Sequence, residues 1–240
     1  MPFVAIIVII SAAIAVAALA WWLLVTTEGV YLGQRVVIWL YDVYAWRYDR
    51  IKSFKPEYEY YFLARPILGE LDPQTDPLVL DVATGTGRLP LALCQHEAFA
   101  GQIIATDLSR AMLARAAHNL APYAGRVTLA RCAAEQLPFP DNSFDMVACL
   151  EALEFTPQPL VTLRECIRVL RPGGLLLITN RINMRMPGRI WTQAELLALL
   201  EANGVMIAQA EPWLTDYHKV WGLKDGSSAP IGTASYQHPR

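Results

Sequence analysis

A carboxylate and two glycines lie at a spacing that suits the binding of a nucleotide-containing molecule. Residues 78–90 read LVLDVATGTGRLP, so an apolar strand candidate runs into a glycine turn that can open a helix. Gly85 and Gly87 carry no side chain, so the backbone can turn with positive φ and approach a ligand that the free N–H groups of the helix also face. A second strand candidate ends at Asp107, 22 residues after Gly85, about the offset of a carboxylate that binds ribose hydroxyls. These residues predict two halves of one cofactor site.

The residue at position 90 narrows the kind of cofactor. The dinucleotide fingerprint has a third small residue there, which allows close packing around a pyrophosphate. This chain has Pro90, which suits the first turn of a helix but not such a close approach. The sequence therefore favours a cofactor without a pyrophosphate, such as S-adenosylmethionine, over NAD or FAD. A dehydrogenase stays an alternative.

Four ordered motifs resemble those of a known family. They are VLDVATGTGR at 79–88, ATDLS at 105–109, AEQLPFPDNSFD at 134–145 and LRECIRVLRPGG at 163–174. Between about Tyr41 and Lys224, the chain resembles the class I S-adenosylmethionine-dependent methyltransferases that act on small molecules. Within that family it is similar to the methyltransferase domains of ubiquinone and menaquinone biosynthesis. The resemblance implies S-adenosylmethionine as the cofactor and methyl transfer as the reaction.

The resemblance also implies a set of cofactor-binding residues. They are Asp81, Ala83, Gly85, Gly87, Asp107, Leu108, Ala133, Ala134, Glu135 and Leu150. In the family, Asp81 and the glycine loop hold the methionine end, and Asp107 accepts hydrogen bonds from both ribose hydroxyls. The family often has an aspartate that contacts the adenine amine where this chain has Ala133, so we expect backbone atoms or Glu135 to act there. A turn cap at Asp81 and a helix N-cap at Asp107 are the structural alternatives.

Methyl transfer requires few catalytic side chains, because the protein chiefly aligns the reactants and excludes water. In the family, the segment at 149–156 borders the reacting sulfonium. It contains Glu151 and Glu154, whose spacing allows both to share a helical face. We predict Glu154 as the base for an acidic acceptor, with Tyr217 and His218 as alternatives, although a structural role is the stronger expectation for His218.

Residues 41–49 resemble the family segment that closes over the cofactor. The resemblance implies lid or substrate contacts at Tyr41, Tyr48 and Asp49, and we add His218 as a candidate substrate contact.

Strand candidates alternate with helical stretches, which is the rhythm of βαβ units. The strand candidates are 78–83, 102–106, 126–130, 144–149, 174–179, 205–210 and 213–222. A helix is predicted at 192–202, ended by Asn203 and Gly204. The Gly173–Gly174 pair is expected to form a hairpin-like turn. The predicted fold is α/β, a Rossmann-like, doubly wound, mostly parallel seven-stranded sheet, whose antiparallel last strand is implied by the resemblance.

An uncharged apolar run at 3–25 is long enough for one membrane span, which needs about 20 residues. A cleaved signal peptide is the alternative, but the run lacks a positively charged n-region and is longer than the usual h-region. The basic residues Arg35, Arg47, Arg50 and Lys52 follow the run, which predicts a cytoplasmic catalytic domain. The aromatic segment after it either lies on the membrane surface or packs onto the domain.

The expected organisation is an anchor at 1–29, a juxtamembrane or lid segment at 30–56, a methyltransferase domain at 57–224 and a disordered tail at 225–240. A net charge of −2 argues against a nucleic-acid partner. Cys94, Cys132, Cys149 and Cys166 lack paired spacing, so we predict buried thiols and no metal site.

Besides the dehydrogenase, three functions stay open. The first is methylation of a lipophilic acceptor such as a quinone-like ring, an isoprenoid or a lipid. The second is methylation of a soluble small molecule, and the third is a non-catalytic binding or recruitment module.

Overall fold

The computed structural model describes residues 2–71, 76–183 and 186–226. Seven strands in these residues form one sheet. They are β1 (Leu78–Val82), β2 (Gln102–Asp107), β3 (Val127–Arg131), β4 (Phe144–Cys149), β5 (Leu170–Arg181), β6 (Val205–Trp213) and β7 (Tyr217–Lys224). The strand order is β3-β2-β1-β4-β5-β7-β6, with β1 to β5 parallel and β7 antiparallel to both of its neighbours. The predicted seven-stranded α/β sheet is confirmed.

Helices connect these strands and precede the first of them. They are α1 (Pro2–Trp21), α2 (Gln34–Lys52), α3 (Pro56–Glu59), α4 (Arg65–Glu70), α5 (Arg88–Cys94), α6 (Arg110–Asn119), α7 (Pro159–Val169) and α8 (Gln193–Ala202). Single π-helical turns occupy 22–26 and 60–64, and short 3₁₀ turns occupy 30–32, 121–123 and 153–155. The predicted helix at 192–202 agrees with α8, which begins with a capping box between Thr192 and Glu195.

Both faces of the sheet are covered by helices, as parallel sheets require. On one face, Val79 and Met146 pack with Leu93 of α5 and Ile67 of α4. On the other face, the alternating strand residues Leu80 and Val147 pack with Ile167 of α7 and Leu196 of α8. This alternation makes the sheet doubly wound, and the strand order reverses at β1, where α/β folds place their ligands.

The Gly173–Gly174 pair is not the predicted hairpin-like turn between elements. It lies inside β5, where the register with β4 jumps from Phe144↔Leu170 to Met146↔Leu175. Gly173 has a φ of +73°, and a Cβ on Gly174 would come within 2.6 Å of the Leu170 side chain. The two glycines therefore form a bulge that begins the central part of the strand.

The N-terminal segment begins with an apolar helical stretch at 3–26, whose 24 residues are long enough to cross a membrane and are not buried against the rest of the chain. Length and composition alone would also fit a signal sequence. The ring of Trp22 stacks on Tyr31 at 5.1 Å, and the Tyr31 hydroxyl donates to the carbonyl of Pro187 at 2.6 Å. The helical stretch is thereby joined closely to α2 and to the domain. Most of the predicted tail, from 227 onward, lies outside the described residues.

Candidate functional site

A cleft lies over the carboxyl ends of β1, β2 and β4. Its empty space is about 1080 Å³, open solvent at its mouth included. Its floor is formed by strand ends and the loops that follow them, and α2 lies over it as a roof. The sheet's reversal point and the predicted cofactor residues therefore coincide in space.

The glycine loop and the end of β2 are joined by Asp107. Its Oδ2 accepts from the backbone N–H of Gly85 at 2.8 Å, and its Oδ1 accepts from the backbone N–H of Ser109 at 2.8 Å. Ser109 itself is the N-cap of α6, because its hydroxyl accepts from the N–H of Met112. The Asp107 carboxylate lines the cleft, and burial raises its pKa. Since each carboxylate oxygen can accept two hydrogen bonds, Asp107 can still accept from two hydroxyls.

Both glycines of the loop have left-handed backbone conformations. Gly85 has a φ of +56° and Gly87 a φ of +87°. A Cβ on Gly87 would lie 2.7 Å from Cδ1 of Leu120, so this position serves close packing against α6, and it does not line the cleft. Gly85 does line the cleft, below Tyr48. Only one of the two predicted glycines therefore borders the ligand space directly.

Asp81, at the end of β1, lines the floor of the cleft and is 3% exposed. Burial, supported by the negative charge of Asp107, raises the pKa of Asp81 to about 7. A buried carboxyl group near neutrality is suited to a cationic ligand, which would favour its ionised form.

The opposite part of the floor comes from the segment after β3. Ala134 and Glu135 line the cleft together with Cys132, whereas Ala133 does not. Glu135 Oε1 is buried and has no hydrogen-bond partner among the described residues. It is a free acceptor where the resemblance implies the adenine amine. The remaining implied cofactor residues that line the cleft are Ala83, Leu108 and Leu150.

The roof carries two of the predicted lid residues into the cleft. Tyr41 and Tyr48 of α2 both line it, and burial raises the pKa of Tyr48 to about 12. Asp49 lies outside the lining and instead accepts from Arg115 at 3.2 Å and from Asn119 at 3.1 Å, both on α6. Asp49 therefore holds the roof in place without bordering the ligand space.

Glu151 is the carboxylate that borders the cleft beyond β4. Its Oε2 accepts from Lys52 at 2.9 Å, and its Oε1 accepts from Arg88 at 2.7 Å and from Trp213 at 3.2 Å. Burial opposes ionisation, but the two cations outweigh it and lower the pKa of Glu151. No sequence signal indicates Lys52 as a partner of Glu151, whereas the position of Arg88 directly after Gly87 could have indicated that residue.

Glu154 lies in a different environment. It is 3% exposed, does not line the cleft, and accepts from the Tyr217 hydroxyl at 2.5 Å and from Arg181 at 3.4 Å. Burial raises its pKa, although Tyr217 and Arg181 oppose this effect. His218 lies on β7 opposite Asn180 and is not part of the cleft lining. The structure thus does not bring Glu154 or His218 to the cleft.

These residues fit S-adenosylmethionine. Asp107 has acceptor sites for a ribose diol, Glu135 has a free acceptor for an amine, and Asp81 offers a buried carboxyl group for a cation. Gly85 presents bare backbone to the cleft beneath the Tyr48 ring.

Comparison with known proteins also indicates a methyltransferase domain. Residues 80–178 match the family model of a methyltransferase domain. Over 142 residues the chain is 32% identical to the ubiquinone/menaquinone biosynthesis C-methyltransferase UbiE of Nitrosospira multiformis, covering 57% of this chain and 56% of that protein. It is 38% identical over 102 residues to the protein of the same name from Geobacter sulfurreducens, covering 42% and 40% of the two chains. The chain therefore spans about half the length of these curated relatives.

Solved structures support the fold. A SAM-dependent methyltransferase from Aquifex aeolicus has a TM-score of 0.56 at 22% identity, covering 71% of this chain and 98% of that one. The [4+2]-cyclase SpnF has a TM-score of 0.58 at 23% identity, covering 67% and 79%. A cyclase on the same architecture illustrates that the fold alone does not define the reaction. The family match, the sheet order and the cleft therefore agree on a methyltransferase domain at residues 80–178.

Proposed function

We propose that this protein is a membrane-anchored methyltransferase that transfers the methyl group of S-adenosylmethionine to a small lipophilic acceptor. The observation that carries the cofactor part is the position of Asp107, held between the N–H groups of Gly85 and Ser109 with acceptor capacity left in the cleft. The proposed organisation is an anchor at 1–29, a lid at 30–56 and a catalytic domain at 57–224.

The cleft residues have distinct proposed roles. Asp107 and Leu108 bind the ribose, Glu135 and Ala134 bind the adenine, and the ionised form of Asp81 attracts the cationic methionine end. Ala83, Gly85 and Leu150 shape the walls between these groups. When bound, S-adenosylmethionine supplies an electrophilic methyl group, and its sulfonium sulfur is the leaving atom of the transfer.

The roof residues exclude water from the reacting atoms. Tyr41 and Tyr48 cover the cleft from α2, and Asp42 and Asp49 fasten that helix to α6 through Ser109 and Arg115. Closure strengthens the electrostatic interactions inside a site and prevents hydrolysis.

The carboxylates near β4 bear on the kind of acceptor. Glu151 is paired with two cations and has a lowered pKa, which makes it a poor proton acceptor. Glu154 has a raised pKa but does not line the cleft, so it does not support the base predicted from sequence. This arrangement favours an acceptor whose reacting atom is already nucleophilic.

A lipophilic acceptor is supported by two observations. Relatives with 32 to 38% identity are named ubiquinone/menaquinone biosynthesis C-methyltransferases, which makes a quinone-like ring the first choice over an isoprenoid or a lipid. The exposed apolar stretch at 3–26 would hold the enzyme where such molecules dissolve and raise their effective concentration. The basic residues Arg35, Arg47, Arg50 and Lys52 after it support a cytoplasmic catalytic domain.

The test is calorimetric titration of the full chain in nanodiscs with S-adenosylmethionine and, separately, with NAD. We expect binding of S-adenosylmethionine that weakens at least about tenfold in Asp107→Asn, because the variant loses a charged acceptor and places N–H groups against those of Gly85 or Ser109. Asp141→Asn changes the same chemical group at an exposed site, where Asp141 pairs with Arg168, and should bind like the wild type. Tighter binding of NAD would contradict the proposal.

The acceptor is then sought with methyl-labelled cofactor. Transfer of label to membrane extract but not to aqueous metabolites supports a lipophilic acceptor, whereas the reverse supports the soluble-acceptor alternative. Cofactor binding without transfer to either fraction would favour the non-catalytic module.

A further inference from the structure

Helix α2 has an outer face that turns away from the cleft. We call this set the outer face of α2, and it comprises Arg35, Trp39, Val43, Trp46, Arg47 and Arg50. Trp39 is 59% exposed and Trp46 is 63% exposed. The spacing of Trp39, Val43, Trp46 and Arg50 is four, three and four residues, which places them along one side of a helix. Two large exposed indoles on one helix face indicate an interaction site.

The two acidic residues of α2 are bonded to α6. Asp42, which is exposed beside Trp39 and Trp46 on the helix, accepts from the Ser109 hydroxyl at 2.5 Å, and Asp49 pairs with Arg115. The arginines stay outside, and Arg47 lies 4.1 Å and Arg50 5.9 Å from the Trp46 ring. In the part of the chain that the structure describes, no carboxylate lies within 4.0 Å of Arg35, Arg47 or Arg50. The outer face is therefore aromatic and cationic, which suits a layer of anionic headgroups.

The position of the face in the chain puts it near a membrane surface. Only residues 27–33 separate the apolar stretch from the start of α2. This connection is tight, because the N–H of Gly29 donates to the carbonyl of Leu23 and Trp22 stacks on Tyr31. The first turn of α2 therefore lies next to the end of the proposed span.

We propose that the outer face of α2 docks on the anionic headgroups of the membrane that holds the anchor, and that this contact keeps the roof of the cleft closed. The proposal rests on the proposed function, in which 3–26 spans a membrane and the cleft binds S-adenosylmethionine.

The distribution of the arginines argues that α2 lies along the surface. Helix α2 has 19 residues and is about 28 Å long at 1.5 Å per residue. Arg47 and Arg50 lie roughly 18 to 23 Å along the axis from Arg35 on the same rise. If α2 stood upright, both would be beyond the screening length of about 8 Å at physiological salt. Basic side chains at both ends of the helix act together on a membrane only when the helix lies flat.

Coupling to the cleft follows from the inner face of the same helix. Tyr41 and Tyr48 line the cleft, and Lys52 at the end of α2 is bonded to Glu151 below it. A surface that holds α2 in this position stabilises the closed cleft, and so slows the loss of a bound cofactor. By linkage, a bound cofactor must strengthen the membrane contact by the same factor.

The test compares S-adenosylmethionine affinity of the full chain in nanodiscs of phosphatidylcholine with that in nanodiscs that also contain phosphatidylglycerol. We expect the affinity to be at least about fivefold higher in the anionic discs, in the usual range of coupling between sites. In the variant with Arg47→Gln and Arg50→Gln, affinity in neutral discs should match the wild type, and the gain in anionic discs should fall below about twofold. Backbone amide exchange of α2 should slow in anionic discs for the wild type only.

A matched control replaces Arg164 and Arg171 with glutamine, which removes the same charge from α7 and from the start of β5. It should keep the full response to anionic lipid. Equal wild-type affinity in the two kinds of disc would overturn the coupling while leaving the proposed function intact, and so would a full response in the Arg47 and Arg50 variant. Absence of binding in both kinds of disc would instead overturn the proposed function and the coupling together.

Discussion

Replacing Asp81 with asparagine should stabilise the protein without bound cofactor, and increasingly so as the pH rises. Burial raises the pKa of Asp81 from 3.8 to about 7. Between these values the folded state holds a proton that the unfolded chain has lost. The stability contributed by the protonated carboxyl group is therefore complete below about pH 4 and is lost as the pH rises through about 7.

The magnitude follows from the same two pKa values. A difference of about three pKa units corresponds to about 4 kcal/mol, which is an upper bound because the cleft admits some water. Asparagine is neutral at every pH, like the protonated carboxyl group. We expect the free energy of unfolding of Asp81→Asn to exceed that of the wild type by an amount that grows by about 2 to 4 kcal/mol between pH 4 and pH 7 and is constant above.

Urea unfolding of both proteins in detergent micelles across this pH range measures the difference directly, with Asp141→Asn as the control that should show no trend. Cofactor binding gives a second measurement. If binding requires the ionised carboxylate, wild-type affinity should be about tenfold higher at pH 8 than at pH 6, and Asp81→Asn should lose this dependence. A pH-independent stability difference, or an Asp81 pKa near 4 by NMR, would refute the reasoning.

Three further changes test the packing of the site. Gly87→Ala should lower the free energy of unfolding by about 1 to 3 kcal/mol, because Gly87 has a φ of +87° and an added Cβ would press on Leu120. The control Gly125→Ala, which adds a Cβ in open space, should change it by less than about 0.5 kcal/mol. Equal effects of the two changes in chemical unfolding would contradict this prediction. Glu154→Gln should destabilise the fold by about 3 kcal/mol, because it leaves Arg181 buried without its ion-pair partner. The cofactor affinity measured by calorimetry should stay within about threefold of the wild type. Loss of binding at unchanged stability would instead indicate that Glu154 acts in the cofactor site. Lys52→Met should speed cofactor release several-fold in stopped-flow measurements, because Lys52 joins the roof to Glu151. It should cost less than about 1 kcal/mol of stability, because the Lys52 side chain is part-exposed. An unchanged release rate would show that this ion pair does not hold the roof.

The cofactor half of the site could be predicted from sequence because its determinants are local. A strand, a glycine turn and a helix start follow one another at 78–90. The carboxylate at the end of the next strand lies at the same edge of the sheet, because neighbouring parallel strands end there together. The structure gives the physical reason for the 22-residue offset, since Asp107 accepts directly from the N–H of Gly85. The alternation of strands and helices likewise predicted the sheet. The exception is the bulge of Gly173 and Gly174, because a pair of glycines suits either a turn or a bulge.

The position of α2 could not be predicted in the same way. The sequence left membrane contact and packing on the domain as alternatives, because the aromatic residues of 30–46 suit both. The contacts that decide the packing are distant in sequence, such as Asp42 with Ser109, 67 residues apart. In the structure the two sides of the helix differ: the carboxylates and Tyr48 contact the domain, and Trp39 and Trp46 face outward. Packing on the domain and an outward face free for membrane contact are therefore compatible.

The choice between Glu151 and Glu154 shows where spacing arguments fail. A separation of three residues places two side chains on one face only if the backbone between them is helical. Here Glu151 has a φ of +52°, its N–H donates to the hydroxyl of Thr179, and the 3₁₀ turn begins only at Leu153. The backbone between the two carboxylates is therefore not one continuous helical turn, and one glutamate pairs with Lys52 at the cleft while the other is buried beside Arg181. Because a non-glycine residue with positive φ is uncommon and leaves no mark in the sequence, the pattern could not tell which glutamate meets the cleft.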